Sequence, residues 1–252
     1  MHLEDKYAQL YDSLYEQDKK AHITKKDFNE RFYYGYIRNE YVKNFKKGCK
    51  VLSIGCGHGY EMSELGIRKF VGIDISKNAI ESARLLFPGS RFFVGDITKR
   101  TQFKDSEFDV CLMFETIEHL PDAKGALKEI YRILKPGGRV FIATPNRWRW
   151  VVFPIKYLIP EALKLFLIKL FIGGERYTIH HYSAEISKKL KIKQHVHEFS
   201  AGELAGLAGN VGYKVIDVKK GDSVLTKYVK LPVKMLNKMP LGMESILVVA
   251  EK

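Results

Sequence analysis

Gly55, Gly57 and Gly59 alternate with Cys56 and His58 directly behind the apolar run Val51-Leu-Ser-Ile54. Glycine allows positive φ and lets a ligand lie against bare main chain, so this turn suits a nucleotide-like molecule held beyond the end of a buried strand. A dinucleotide fold would place a small residue next for close helix packing, and Tyr60 stands there instead, which argues against NAD or FAD. Two carboxylates end further apolar runs. Asp74 closes Phe70-Val-Gly-Ile-Asp74, about 20 residues past the turn, where it could accept hydrogen bonds from both ribose hydroxyls. Asp96 closes Arg91-Phe-Phe-Val-Gly-Asp96 and could accept one from an adenine amino group. Cys56, Ile75, Ile97 and Phe114, in or beside these strand ends, complete the candidate cofactor-binding set. A third group, Glu115-Thr-Ile-Glu118-His119, joins carboxylates to an imidazole whose ordinary pKa lies near neutrality, the arrangement of a general base and its orienting acid.

These residues need a scaffold that gathers strand ends. Short apolar runs at 51–54, 70–74, 91–96 and 108–114 alternate with helical segments at Ser76 to Phe87 and Asp122 to Leu134. Such alternation predicts a parallel sheet covered by helices on both faces. Leu134-Lys-Pro-Gly-Gly138 closes the second helix and starts a fifth strand that runs to Asn146. Lys214 to Val218 and Ser245 to Ala250 supply two more strands, and the tyrosine-rich Tyr7 to Phe45 region reads as helical, closing over the cofactor.

In these motifs, their order and their spacing, the chain resembles the class I S-adenosylmethionine-dependent methyltransferases. The resemblance runs from about Lys50 to Asn146 and recurs in the last strand, covering roughly half the chain. It implies an α/β, Rossmann-like, doubly wound seven-stranded sheet with the last strand antiparallel, and S-adenosylmethionine as cosubstrate. The implied organisation is one methyltransferase domain, with an N-terminal helical cap at 1–47 and a cofactor-binding core at 48–146. An amphipathic substrate or membrane insert at 147–199 and a C-terminal helix and strands at 200–252 complete it. Methyl transfer from a sulfonium is an in-line displacement in which the cofactor carries the activated group, so the protein chiefly positions. A hydroxyl acceptor also needs a base, and His119 with Glu118 is the candidate pair. Arg31 or Arg38 could meet the methionine carboxylate, and the sequence does not choose between them.

Glu115 to His119, Thr144-Pro-Asn146 and His197-Glu-Phe-Ser-Ala-Gly-Glu-Leu204 resemble the ubiquinone-biosynthesis-type O-methyltransferases and relatives acting on lipids or glycans. The same Glu-x-x-Glu-His, with His195 and His197 downstream, also resembles small-RNA 2′-O-methyltransferases. In those enzymes two glutamates and two histidines bind a divalent metal. Here Glu115, Glu118, His119 and either His195 or His197 could supply that set, which by itself selects no one metal. The RNA enzymes carry Phe-Glu-Trp after their second histidine, whereas this chain has Phe199-Ser-Ala. That departure and the apolar insert favour a small or lipid-like acceptor over nucleic acid, with no metal assigned. A noncatalytic cofactor-binding or membrane-adaptor protein on the same fold is the alternative from a different class, and the intact glycines and acids count against it.

The insert carries most of the charge imbalance. The chain has a formal net charge of +13, and residues 147–238 hold 17 Lys and Arg against 7 Asp and Glu, so the cofactor-binding half is nearer balance. Trp148 to Ile172 is strongly apolar, but Pro154, Pro160, Lys156, Lys164 and Lys169 break any membrane span of about 20 residues. Its apolar face predicts either a lid packed on the protein or peripheral contact with a membrane through 148–172, aided by the basic run Lys188 to Lys193. Met1-His-Leu-Glu-Asp-Lys6 lacks a signal peptide's apolar core, and three cysteines placed in or beside buried strands read as reduced thiols. Both point to a cytoplasmic protein, possible contact with the inner face of the membrane included.

Overall fold

In the computed structural model, the described residues are 5–13, 32–147, 195–221 and 245–252. Seven strands form one sheet: β1 (Val51–Ile54), β2 (Val71–Asp74), β3 (Arg91–Val94), β4 (Phe108–Phe114), β5 (Leu134–Pro145), β6 (Lys214–Gly221) and β7 (Ser245–Glu251). Their order is β3-β2-β1-β4-β5-β7-β6. Strands β1 to β5 pair in parallel, and β7 runs antiparallel to both β5 and β6. The chain leaves β1 toward β2 and β3, then returns to lay β4 against the other side of β1. The carboxyl ends of β1 and β4 therefore flank the point where a crevice must open.

Alternation along each strand explains the two buried faces. Leu52 and Ile54 of β1, Cys111 and Met113 of β4, and Ile246 and Val248 of β7 pack on one side, beneath α5 (Ala123–Ile133) and α6 (Ala201–Gly209). Val51, Leu112, Phe114, Leu247 and Val249 pack on the other, with α2 (Phe32–Glu40), α3 (Tyr60–Leu65) and α4 (Lys77–Leu86). Burying both faces is what makes these strands read as continuous apolar runs. Three of the helices start at a polar cap: at α4 Ser76 accepts from the Ala79 amide, at α5 Asp122 accepts from the Gly125 amide, and at α6 Ser200 forms a reciprocal capping box with Glu203. A further helix, α1, spans residues 5–13.

Several strand boundaries differ from the sequence reading, most clearly at β3, which ends at Val94 and not at Asp96, and at the start of β5. Leu134 already pairs with Phe108, so the strand begins before Pro-Gly-Gly and absorbs it as an irregularity before Val110 meets Arg139. Gly137 takes φ 75° there, which gives the strand its kink. Cys49, Cys56 and Cys111 are free, and burial pushes each thiol's ionisation up. Among the described residues no helix is long and apolar enough to cross a membrane. Trp148 to Ile172, the Lys188 to Lys193 run and Arg31 lie outside the described residues.

Candidate active site

The glycine turn is built by backbone geometry. Gly55, Gly57 and Gly59 take φ of 63°, 49° and 82°. At Gly55 the constraint is double, because a side chain there would also overlap Thr116 at the end of β4. Gly59 starts α3 from the left-handed region, and the Cys56 amide ties the turn to the Ile73 carbonyl of β2 at 3.1 Å.

That turn fixes the first acid. Asp74 accepts from the Gly57 amide through Oδ2 at 2.8 Å and from the Ser76 amide through Oδ1 at 2.9 Å. Burial pushes its carboxyl up to about 6 against the pull of these amides, and nearby Asp12 adds to the rise. Glu61, on α3, is pushed up to about 8, mainly by burial and further by Asp74. The second acid is held by its own turn, since Asp96 Oδ1 accepts from both the amide and the hydroxyl of Thr98 at 2.8 Å.

Beyond β4 the chain is strained. Glu115 has φ 46°, a conformation that costs a residue with a Cβ about 1 kcal/mol or more. Its amide donates to the Ala143 carbonyl at 2.8 Å, and its Oε1 accepts from the Tyr33 hydroxyl at 3.2 Å. The helical turn Ile117–His119 follows. Glu118 is 2% exposed, accepts from the Thr144 hydroxyl at 2.8 Å, and approaches His119 Nε2 at 3.7 Å, an electrostatic pairing outside hydrogen-bond reach. Its carbonyl accepts from the amides of Val196 and His197 at 2.8 and 3.0 Å, bringing that segment back to the site. The His119 ring then lies edge-on between His195, at 4.8 Å between centroids, and Tyr11 of α1, at 5.7 Å.

All these strand ends face one pocket. Gly55, Asp74, Ile75, Asp96, Ile97 and His119 line it, as expected from the sequence. Glu118 lies behind His119, and Gly57 and Gly59 act through Asp74 and α3. Two expected residues turn away from the pocket wall. Cys56 packs into the core against Gly72, since the turn that exposes Gly55 sends the next side chain inward, and Phe114 is covered by the Tyr33 and Tyr34 rings. Arg38 donates to the Glu64 carbonyl at 3.2 Å and is absent from the lining.

Sequence reasoning missed Tyr7, Tyr11, Gly95, Thr98, Lys99 and Thr116, which line the pocket too. The four-residue spacing of Tyr7 and Tyr11 puts both on one face of a helix, the only local signal for the tyrosines. Ligand atoms of Glu118, His119 and His195 lie within 4.8 Å of one another. Glu115 is not in that group, and neither is His197, whose Nε2 lies 3.5 Å from the Pro121 carbonyl oxygen.

The sheet order, the glycine turn and the two strand-end acids define the class I, Rossmann-like S-adenosylmethionine-dependent methyltransferase architecture. Residues 52–142 match the family described as methyltransferase domain. A ubiquinone biosynthesis O-methyltransferase of Pseudomonas putida is 35% identical over 133 residues, covering 50% of this chain and 55% of the relative. Phosphoethanolamine N-methyltransferase 3 of Arabidopsis thaliana is 40% identical over 106 residues, 39% of this chain and 21% of the relative. The methyltransferase from the complex with the Haloferax volcanii Trm112 methyltransferase activator superposes with a TM-score of 0.63 at 19% identity, over 96% of both chains, which shows a shared fold. The chain thus spans about half the length of the ubiquinone-type relatives it matches. It carries a class I S-adenosylmethionine-dependent methyltransferase domain, with S-adenosylmethionine as the cosubstrate that family and fold imply.

Proposed function

We propose that this chain transfers a methyl group from S-adenosylmethionine to a hydroxyl of a small or lipid-like acceptor. The observation that carries the reading is that His119, backed by the buried carboxylate of Glu118, opens onto the same pocket as Asp74 and Asp96. In this reading Asp74 holds the ribose hydroxyls, Asp96 the adenine amino group, and the Gly55 turn the main chain facing the nucleoside. His119, in the same lining, takes the acceptor's proton as the oxygen attacks the methyl carbon. The cosubstrate supplies the electrophilic methyl group; the protein supplies alignment, a base and a pocket wall that is mostly apolar. The ubiquinone-type relative supports oxygen as the acceptor atom, and the Arabidopsis relative makes nitrogen the competing one. The Haloferax complex raises an activator protein as a candidate partner.

A second reading has one observation in its favour. The ligand atoms of Glu118, His119 and His195 are close enough for one divalent ion with bonds of about 2.0–2.2 Å after small side-chain adjustments. Such an ion would polarise the acceptor hydroxyl and make His119 a ligand, as in the metal-dependent RNA 2′-O-methyltransferase alternative. Incubation with isotopically labelled S-adenosylmethionine and a cell extract, followed by mass spectrometry, tests the proposal. An O-methylated small or lipid-soluble product is expected, and label found only on nitrogen or in RNA would overturn the acceptor assignment.

A further inference from the structure

Tyr11 projects from α1 into the pocket wall, where its hydroxyl oxygen is sealed from solvent and has no hydrogen-bond partner among the described residues. A sealed hydroxyl loses its bonds to water and regains none, so phenylalanine would fill the same space at lower cost unless something binds there. Its placement is fixed by the next residue. Asp12 Oδ1 accepts from the Ser76 hydroxyl at 2.6 Å and the Asn78 amide at 3.1 Å, while the Asp12 carbonyl accepts from Asn78 Nδ2 at 3.1 Å. Ser76 is also the residue whose amide holds Asp74, so one short segment positions both the strand-end acid and α1. The ring of Tyr11 meets His119 edge-on. Burial, then the carboxylates of Glu118 and Asp74, push its ionisation well up, which leaves the hydroxyl protonated and a hydrogen-bond donor.

We infer that Tyr11 binds the acceptor: its O–H donates to the oxygen that is methylated, and Asp12 positions it there. The inference rests on reading the pocket as a joint site for S-adenosylmethionine and a hydroxyl acceptor. In the transfer, the acceptor's proton passes to His119 and an oxygen lone pair forms the new O–C bond. The C–S electron pair returns to sulfur, so the sulfonium becomes a neutral thioether. A donor on one lone pair of the oxygen leaves the other aimed at the methyl carbon, an alignment that in-line displacement rewards.

Tyr11→Phe tests this, with S-adenosylhomocysteine as the cofactor probe. The acceptor probe is the organic-soluble fraction of a cell extract given tritiated S-adenosylmethionine. The expected result is S-adenosylhomocysteine affinity within about twofold of wild type, an equal or higher melting temperature, and an initial rate at limiting extract lower by about 10- to 100-fold. An equal loss of S-adenosylhomocysteine affinity would assign the hydroxyl to the cofactor, and an unchanged rate or a lower melting temperature would also overturn the inference. Asp12→Ala keeps the phenol but releases α1, so it should reproduce the rate loss; a full rate would remove Asp12 from the positioning role. Wild-type protein that binds no S-adenosylhomocysteine overturns the pocket reading itself. Binding without labelling of the extract overturns the acceptor role of Tyr11 together with O-methylation.

Discussion

The Asp74 carboxylate and the Gly57 amide are joined by a 2.8 Å hydrogen bond that spans the ends of the first two strands. This bond ties the glycine turn to the acid proposed to hold the ribose, and burial keeps that acid's pKa raised to about 6. S-adenosylhomocysteine affinity should therefore rise between about pH 5 and 7 as Asp74 ionises. Stability of the free protein should run the other way. The unfolded chain releases this proton near 3.9 and the folded one near 6, so folding loses stability as pH rises between those values and levels off above them. Calorimetric affinities and melting temperatures across that range check both slopes, and Asp74→Asn should flatten them.

Gly55→Ala should lower stability by about 2–4 kcal/mol, because it combines a left-handed backbone with overlap against Thr116. Adding Thr116→Ala should recover the overlap part and leave the backbone part. Urea unfolding of the single and double variants separates them; a double variant no better than Gly55→Ala would show that the close approach is unimportant.

The two acids were legible because each follows an apolar run, fully buried in β2 and only partly buried in the edge strand β3, so each falls at or just past the end of its strand. The topology, including the antiparallel β7, came from the family resemblance that the order of motifs carries. Side-chain direction within the turns was not legible. Cys56 and Phe114 sit beside pocket residues in sequence, yet backbone alternation turns both into the core. Tyr11 was hidden for a different reason: its contacts with His119 and, through Asp12, with Ser76 are long-range, and α1 shows only a tyrosine pair at helical spacing. The choice of His195 over His197 likewise depends on how the Glu118 carbonyl catches the returning segment, which no local pattern encodes.

His119→Ala should reduce turnover about 10²- to 10⁴-fold while leaving S-adenosylhomocysteine affinity nearly intact, as expected for a base that touches only the acceptor. Treatment with a chelator decides between base and ligand. Activity that survives chelation keeps His119 as the base, whereas loss restored by Mg or Mn, and abolished by His195→Ala, makes Glu118, His119 and His195 a metal centre.

Thr144→Val should cost about 1–3 kcal/mol, since it strips a hydrogen bond from the buried Glu118 carboxylate without changing side-chain volume much. The same change should slow methyl transfer, because Glu118 then loses the contact that sets it behind His119. Urea unfolding and initial rates measure the two effects, and an unperturbed rate would show that the Glu118 side chain is purely structural.

Titration calorimetry of S-adenosylhomocysteine into wild-type protein and Asp74→Ala addresses the central claim, that the strand-end pocket is the cofactor site. One molecule should bind per wild-type chain, and Asp74→Ala should weaken binding by about 1.5–3 kcal/mol, roughly 10- to 150-fold, as the ribose loses charge-assisted hydrogen bonds. No binding to the wild type, or equal affinity in a folded Asp74→Ala protein, would contradict it.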